Sequence, residues 1–261
     1  MKLTNEIITI ETNTTGEIKA INFKGKEMLH DGQEYWQKTY PMIWPVTSFS
    51  RAFEVDGQDY EIPKHGFWNK LEWEQIYEND SLTLLATHME DSVYPFTIDI
   101  QHNIKLEDNK VVISTKFQNL SKKTAHFNFG HHPAFKIDEE SEFEFSKLVR
   151  PLFFGLKAEM APFGRISEMA FGDKFDTIIF HDARGLEVSF KYDGVTTKVI
   201  SKDFDTTQLW KPAEANFVCI EPWQGYNDDE YDYPTEASKK LETISLPFGE
   251  EVVKQMIIEF N

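Results

Sequence analysis

The strongest constraint on this chain is a hydrophobic period of two that recurs from end to end. Ile8 and Ile10 alternate with Ile7, Thr9 and Glu11, and Glu17 to Phe23 alternates more strictly. Phe96 to Ile100, Val111 to Phe117, Leu186 to Phe190, Thr196 to Ile200 and Phe217 to Ile220 follow the same rule. The separators are Asn13-Thr14-Thr15-Gly16, Asp31-Gly32, Asp56-Gly57, Asp108-Asn109 and Asp193-Gly194, residue types that accept the backbone angles of tight turns. A 3.6-residue period is almost missing. Its best candidate, Thr235 to Leu241 after Pro234, has a Thr N-cap but runs only about two turns. Strand signals at short intervals without helical crossovers predict antiparallel pairing, and their number predicts an all-β fold, a large antiparallel β-sandwich. With no repeat and no Ser/Gly- or Pro-rich linker, residues 1–261 are expected to form a single domain. A chain of this size buries about 73% of its surface on folding, enough for a core without staples.

Charge and composition exclude several classes of function. Twenty-seven basic residues against 44 acidic ones give a net charge of −17. A field of that sign repels phosphate backbones and anionic lipid, so neither nucleic acid nor a membrane surface is an expected partner. The single cysteine, Cys219, leaves no internal disulfide and no thiolate metal cluster. No apolar run approaches the about 20 residues of a membrane span, and Met1-Lys2-Leu3-Thr4 opens directly into alternation rather than a signal-peptide core. The expected setting is reducing and cytoplasmic.

Three stretches place imidazole or carboxylate beside Pro, Gly and Trp where a plain strand needs none. In Pro63-Lys64-His65-Gly66-Phe67-Trp68-Asn69, Gly66 allows positive φ or a close backbone approach beside His65. The bland alternative is a turn histidine packed under aromatics. In Phe127-Asn128-Phe129-Gly130-His131-His132-Pro133, a strand would point Phe127, Phe129 and His131 to one side. His126, Asn128, Gly130 and His132 would then share the other, with Gly130 leaving room for a ligand and Pro133 ending the ladder. Adjacent histidines suggest a metal, but successive strand residues face opposite ways and no third ligand stands at a recognisable spacing. In Phe217-Val218-Cys219-Ile220-Glu221-Pro222-Trp223 an apolar strand runs into a carboxylate. Glu221 is either solvated at a sheet rim or, half-buried beside Trp223, raised in pKa and suited to general acid–base work. Cys219 shares the strand face of Glu221 and, lacking a basic partner in sequence, reads as a small core residue. The acidic run Asp228, Asp229, Glu230, Asp232 lacks the glycine and spacing of a calcium loop and reads as a solvated loop.

These stretches, in this order on an all-β chain, resemble the aldose 1-epimerases (galactose mutarotases), most closely their LacX-like branch. The resemblance runs from Glu34-Tyr35-Trp36 and Pro41-Met42-Ile43-Trp44-Pro45 through Glu61-Ile62-Pro63-Lys64-His65-Gly66-Phe67 and Tyr94-Pro95-Phe96. It continues with Gly130-His131-His132-Pro133-Ala134-Phe135 and Cys219-Ile220-Glu221-Pro222-Trp223, and closes on Leu246-Pro247-Phe248-Gly249-Glu250. It implies a galactose-mutarotase-like supersandwich with a sugar cleft on one sheet, no cofactor and no metal, working as a monomer or homodimer on a small sugar substrate. By position it implies that His132 handles the ring-oxygen proton, Glu221 takes the C1-hydroxyl proton and His65 is a second active-site histidine. Asp176, in Phe175-Asp176-Thr177-Ile178-Ile179-Phe180, falls where the family binds a sugar hydroxyl. Trp223, with Trp68 or Trp210, offers a flat face to sugar C–H groups.

One departure stands out. The family's Gly-Arg after the Pro-x-x-x-Pro segment is missing; Val46-Thr47-Ser48-Phe49-Ser50-Arg51-Ala52 follows Pro45, and Arg51 is the residue placed to take over hydroxyl binding. The implied activity is interconversion of the α and β anomers of a free hexose or related sugar. Two alternatives stay open: a sugar-binding or regulatory module without turnover, which the missing Gly-Arg favours, and a hexose-phosphate mutarotase. The latter needs Arg or Lys at the cleft, and the net charge of −17 with no basic stretch weighs against it.

Overall fold

The structure, a computed structural model, describes residues 1–47, 53–138, 141–153, 162–167, 177–225, 237 and 242–261. Arg51, Asp176, the acidic run from Asp228 to Asp232 and, apart from Ala237, the short helix expected from Thr235 to Leu241 lie outside them. Among the described residues there is no α-helix; the regular helical element is a single 3-10 turn, Trp68–Lys70. No helix among them is long and apolar enough to cross a membrane.

Two antiparallel sheets dominate. The larger runs Phe163–Ser167, Glu142–Val149, Leu186–Tyr192, Val195–Ser201, Glu251–Phe260, Lys110–Asn119, Ile98–Glu107, Ser81–His88 and Glu74–Tyr77. The smaller runs Pro151–Phe153, Thr177–His181, Thr206–Trp210, Phe217–Gln224, Phe129–His131 and Met42–Ile43, with Ala134–Lys136 also paired to Phe217–Gln224. Side chains alternate as the pleat requires. Ile104, Ile113, Phe117 and Ile258 of the larger sheet meet Ile178, Phe180, Leu209, Val218 and Ile220 of the smaller in one buried core. Ring pairs cross that core: Phe117 with Phe129 at 4.9 Å, Phe145 with Phe180 at 5.1 Å and Phe135 with Phe190 at 5.6 Å between centroids. The all-β sandwich expected from the period of two is the fold observed.

The turn residues act as their chemistry predicts. Asp56 and Gly57 (φ 53° and 78°) join Phe53–Val55 to Gln58–Tyr60, and Asp193 and Gly194 (φ 46° and 77°) join Leu186–Tyr192 to Val195–Ser201. Both are two-residue hairpin loops with positive φ at each position, the geometry that matches strand twist. The stretch from His126 to His132 departs from the single strand expected there. It divides into Ala125–Phe127, paired with Ile244–Leu246, and Phe129–His131, paired with Met42–Ile43 and Phe217–Gln224. Between them the Asn128 N–H leaves the ladder to donate to the Pro45 carbonyl at 2.7 Å.

Candidate active site

The smaller sheet buries one face in the core, and its other face forms the floor of a cavity of about 740 Å³. Along Phe217–Gln224 every residue is buried, yet the two faces differ. Val218 and Ile220 join the core, while the alternate positions Cys219, Glu221 and Trp223 point the other way. On the neighbouring strand Gln208 stands opposite Glu221 and Trp210 opposite Cys219.

His132 sits in a gap between two short strands that share one neighbour. Phe129–His131 pairs with the end of Phe217–Gln224 and Ala134–Lys136 with its beginning. In the gap the His132 N–H donates to the Pro41 carbonyl at 3.1 Å, and the Pro133 carbonyl accepts from the Ile220 N–H at 3.2 Å. Proline has no N–H to offer the ladder, so the break falls there. The alternation then separates the two histidines: His131 turns into the core, its Nδ1 3.0 Å from the Tyr40 hydroxyl, and His132 turns to the cavity. His65 arrives on a tight crossing. Gly66 (φ 75°) forms a bridge with Trp44, the Phe67 N–H donates to the Trp44 carbonyl at 2.8 Å, and any Cβ at position 66 would overlap that carbonyl oxygen. His65 itself takes φ 62°. The close backbone approach expected at Gly66 is observed.

These elements bring His132, Glu221 and His65 together. His132 Nε2 lies 3.2 Å from Glu221 Oε2, not aligned as a hydrogen bond. The His65 ring meets His132 edge-on at 5.7 Å and Trp223 at 6.1 Å between centroids. Trp36 stacks on His132 at 4.6 Å, and Trp210 meets the same imidazole edge-on at 5.8 Å. The Gln208 amide donates to Glu221 Oε1 at 3.4 Å.

Burial sets the electrostatics. Glu221 has 0% of its surface exposed, and burial pushes its carboxyl well above 4.5 against the pull of the Gln208 amide, the Lys64 charge and the Trp223 indole. Burial, helped by His65, pushes His132 well below 6.5. His65 is lowered to about 3 by burial and then by Lys64 and Lys38, so it is neutral at physiological pH. The Cys219 sulfur, one His132 nitrogen and one Glu221 oxygen all lie within 4.8 Å of one another. The set does not suit a cation, because burial opposes the charged forms of the Cys219 thiol and the Glu221 carboxyl, whereas metal ligands must give up their protons. Cys219 instead packs with Ala134, Ala215 and Phe217.

Trp223 is on the cavity floor, 1% exposed. Its position changes the meaning of Gly130. The space beside this glycine is filled by the Trp223 indole, since a Cβ there would lie 2.5 Å from Cδ1, and it is therefore not room for a ligand. Trp68 also reaches the wall, donating its indole N–H to the Thr15 carbonyl at 2.8 Å. Sequence reading missed Gln208 and the capping role of Trp36. Gln208 follows from strand register alone, and Trp36 comes from a loop that no periodicity marks.

The sequence profile of the aldose 1-epimerases matches residues 51–259. The chain belongs to the aldose 1-epimerase family. It has no match among curated proteins. Among solved structures, a galactose mutarotase related enzyme from Lactobacillus acidophilus shares 21% identity at a TM-score of 0.90, covering 100% of this chain and 97% of that one. A galactose mutarotase-like protein from Lactobacillus casei ATCC 334 shares 17% identity at 0.91, covering 100% and 99%. An aldose epimerase homologue from C. elegans shares 12% at 0.77, covering 100% and 98%. At these identities the likeness of this aldose 1-epimerase family member to the solved structures is one of fold.

Proposed function

We propose that the protein is a mutarotase that interconverts the α and β anomers of an aldopyranose, with His132 and Glu221 as the acid–base pair. The observation that carries this reading is the 3.2 Å approach of His132 Nε2 to Glu221 Oε2 at a cavity large enough for a sugar. Ring opening breaks the C1–O5 bond. With the pair's single proton on His132 and Glu221 ionised, the C1 hydroxyl gives its proton to Glu221 as the carbonyl forms, and the ring oxygen takes a proton from His132. Rotation about C1–C2 and the reverse transfers close the ring on the other face. The two groups hold one proton between them, and opening moves it from His132 to Glu221, so the same residues with their roles exchanged serve closure, and each positioned group contributes about 10²–10⁴-fold. His65, neutral at physiological pH, serves as a hydrogen-bonding partner rather than a proton donor of its own charge. Trp223 and Trp36 offer indole surface to the sugar. Glu221 has no exposed surface, so the sugar reaches it by displacing a side chain, and the half-buried Trp36 over His132 is placed to give way.

The test is anomer exchange, followed by NMR on freshly dissolved sugars with and without protein. Acceleration lost in Glu221→Gln and in His132→Asn, with both variants folded, supports the reading. Sugar binding without acceleration would instead make the chain a binding module.

A further inference from the structure

The rim of the cavity contradicts the charge of the chain. With 44 acidic residues against 27 basic ones, an average patch of this surface is negative. Among the described residues that line the cavity, however, the charged side chains are Lys19, Lys38, Lys64 and Lys70 against Glu17, and Glu17 is paired with Lys19 at 2.7 Å. The lysines come from separate parts of the sequence: the N-terminal sheet, the loop carrying Trp36, the crossing beside His65 and the 3-10 turn Trp68–Lys70. Among the described residues Lys38 and Lys70 form no ion pair. The field of Lys38 and Lys64 reaches both active-site histidines, and Lys38 also opposes the charge of Lys64. Like charges gathered at a pocket mouth repel one another and offer a neutral sugar nothing it needs; an anion relieves that repulsion.

We infer that the substrate of this site is an anionic aldose, one that carries a phosphate or carboxylate group on a carbon other than C1, met by Lys38, Lys64 and Lys70. The inference rests on the mutarotase reading above. The restriction on position follows from the reaction: C1 must keep a free hydroxyl for the ring to open, so a sugar phosphorylated at C1 binds but does not react. A cavity of about 740 Å³ accommodates a hexose with a phosphate. Lysine suits this task as a mobile point charge that meets an oxyanion without a fixed fork geometry.

The experiment compares glucose, galactose, glucose 6-phosphate and glucuronate. Anomer exchange above the uncatalysed rate is read by NMR, and binding of the same sugars and of glucose 1-phosphate by calorimetry. At low ionic strength kcat/KM for the better anionic sugar is expected to exceed that for the better neutral one by about tenfold or more, the size of one charge-assisted hydrogen bond. The margin should shrink as salt screens the rim. Lys38→Ala should reduce it several-fold through KM rather than kcat, and glucose 1-phosphate should compete without turning over. A larger effect for glucose 6-phosphate than for glucuronate identifies phosphate as the group, and the reverse identifies carboxylate. Equal or faster exchange of the neutral sugars overturns the inference and leaves the mutarotase standing. Binding of the anionic sugars without exchange of any sugar overturns the mutarotase and leaves the anion site standing. Failure of both anionic sugars to bind overturns the anion site.

Discussion

Replacing Glu221 by Gln should stabilise the protein while abolishing its proposed activity. The side chain is fully buried, and its carboxyl is pushed well above 4.5 by that burial. A carboxyl raised on folding makes the folded state bind more protons than the unfolded one across the interval between the two values. Stability therefore falls as pH rises from about 4.5 to the folded value and stays at the lower level beyond it. Each unit of elevation costs about 1.4 kcal/mol above that interval. Glutamine keeps the shape, accepts from the Gln208 amide as Oε1 does now, and brings an N–H toward His132 Nε2 where Oε2 lies 3.2 Å away. Giving the unpartnered buried Oε2 position a hydrogen bond is worth about 1–3 kcal/mol at pH 8. For a chain of this size that is about 2–4 °C of melting temperature per kcal/mol. The assay is thermal unfolding of both proteins from pH 4 to pH 9, with anomer exchange on the same samples. The variant should match the wild type near pH 4 and exceed it progressively above pH 5, with a rate lower by about 10²–10⁴-fold. A variant less stable than wild type at pH 8, or one that keeps the wild-type pH dependence, would refute a carboxyl held against ionisation at this position.

Three further outcomes follow from the same geometry. His132→Asn should lower the rate of anomer exchange by about 10²–10⁴-fold with little change in the unfolding midpoint, and a wild-type rate would remove His132 from the chemistry. Gly130→Ala places a Cβ 2.5 Å from Cδ1 of Trp223, so it should cost about 1–3 kcal/mol in urea unfolding; an unchanged midpoint would mean that the indole does not rest on this glycine. The pH profile of kcat should be flat through a broad middle range. Burial opposes the His132 cation, which sets the acid limb below 6.5, and opposes the Glu221 anion, which sets the alkaline limb well above 4.5; an acid limb centred above 6.5 would contradict this.

The parts of this fold legible in the sequence are those decided locally. Strand alternation is a property of adjacent residues, and Asp56-Gly57 and Asp193-Gly194 accept positive φ wherever they stand, so strands and hairpins could be placed without the tertiary structure. His65, His132 and Glu221 were legible for the opposite reason: each interrupts an apolar pattern with a group that the pattern does not need. What escaped notice depends on distant partners. The strand expected through Asn128 breaks because a carbonyl at Pro45 competes for its N–H. The open space expected at Gly130 is taken by Trp223, which strand pairing places directly opposite. The lysines of the cavity rim form no cluster in the sequence, and the net charge of −17 points away from them, because net charge sums over a whole surface and says nothing of the field at one mouth.

The order of strands in the larger sheet also bears on how the chain must be made. Glu251–Phe260 lies between Val195–Ser201 and Lys110–Asn119, in the interior of the sheet, although it follows in sequence all the other strands of that sheet among the described residues. During synthesis the two halves of that sheet are complete before the strand that joins them exists. Until then each presents a bare inner edge with unpaired amides and carbonyls. Nascent chains therefore hold two adhesive half-sheets until this strand is made and paired, and the interval before closure is when a chaperone has most to protect.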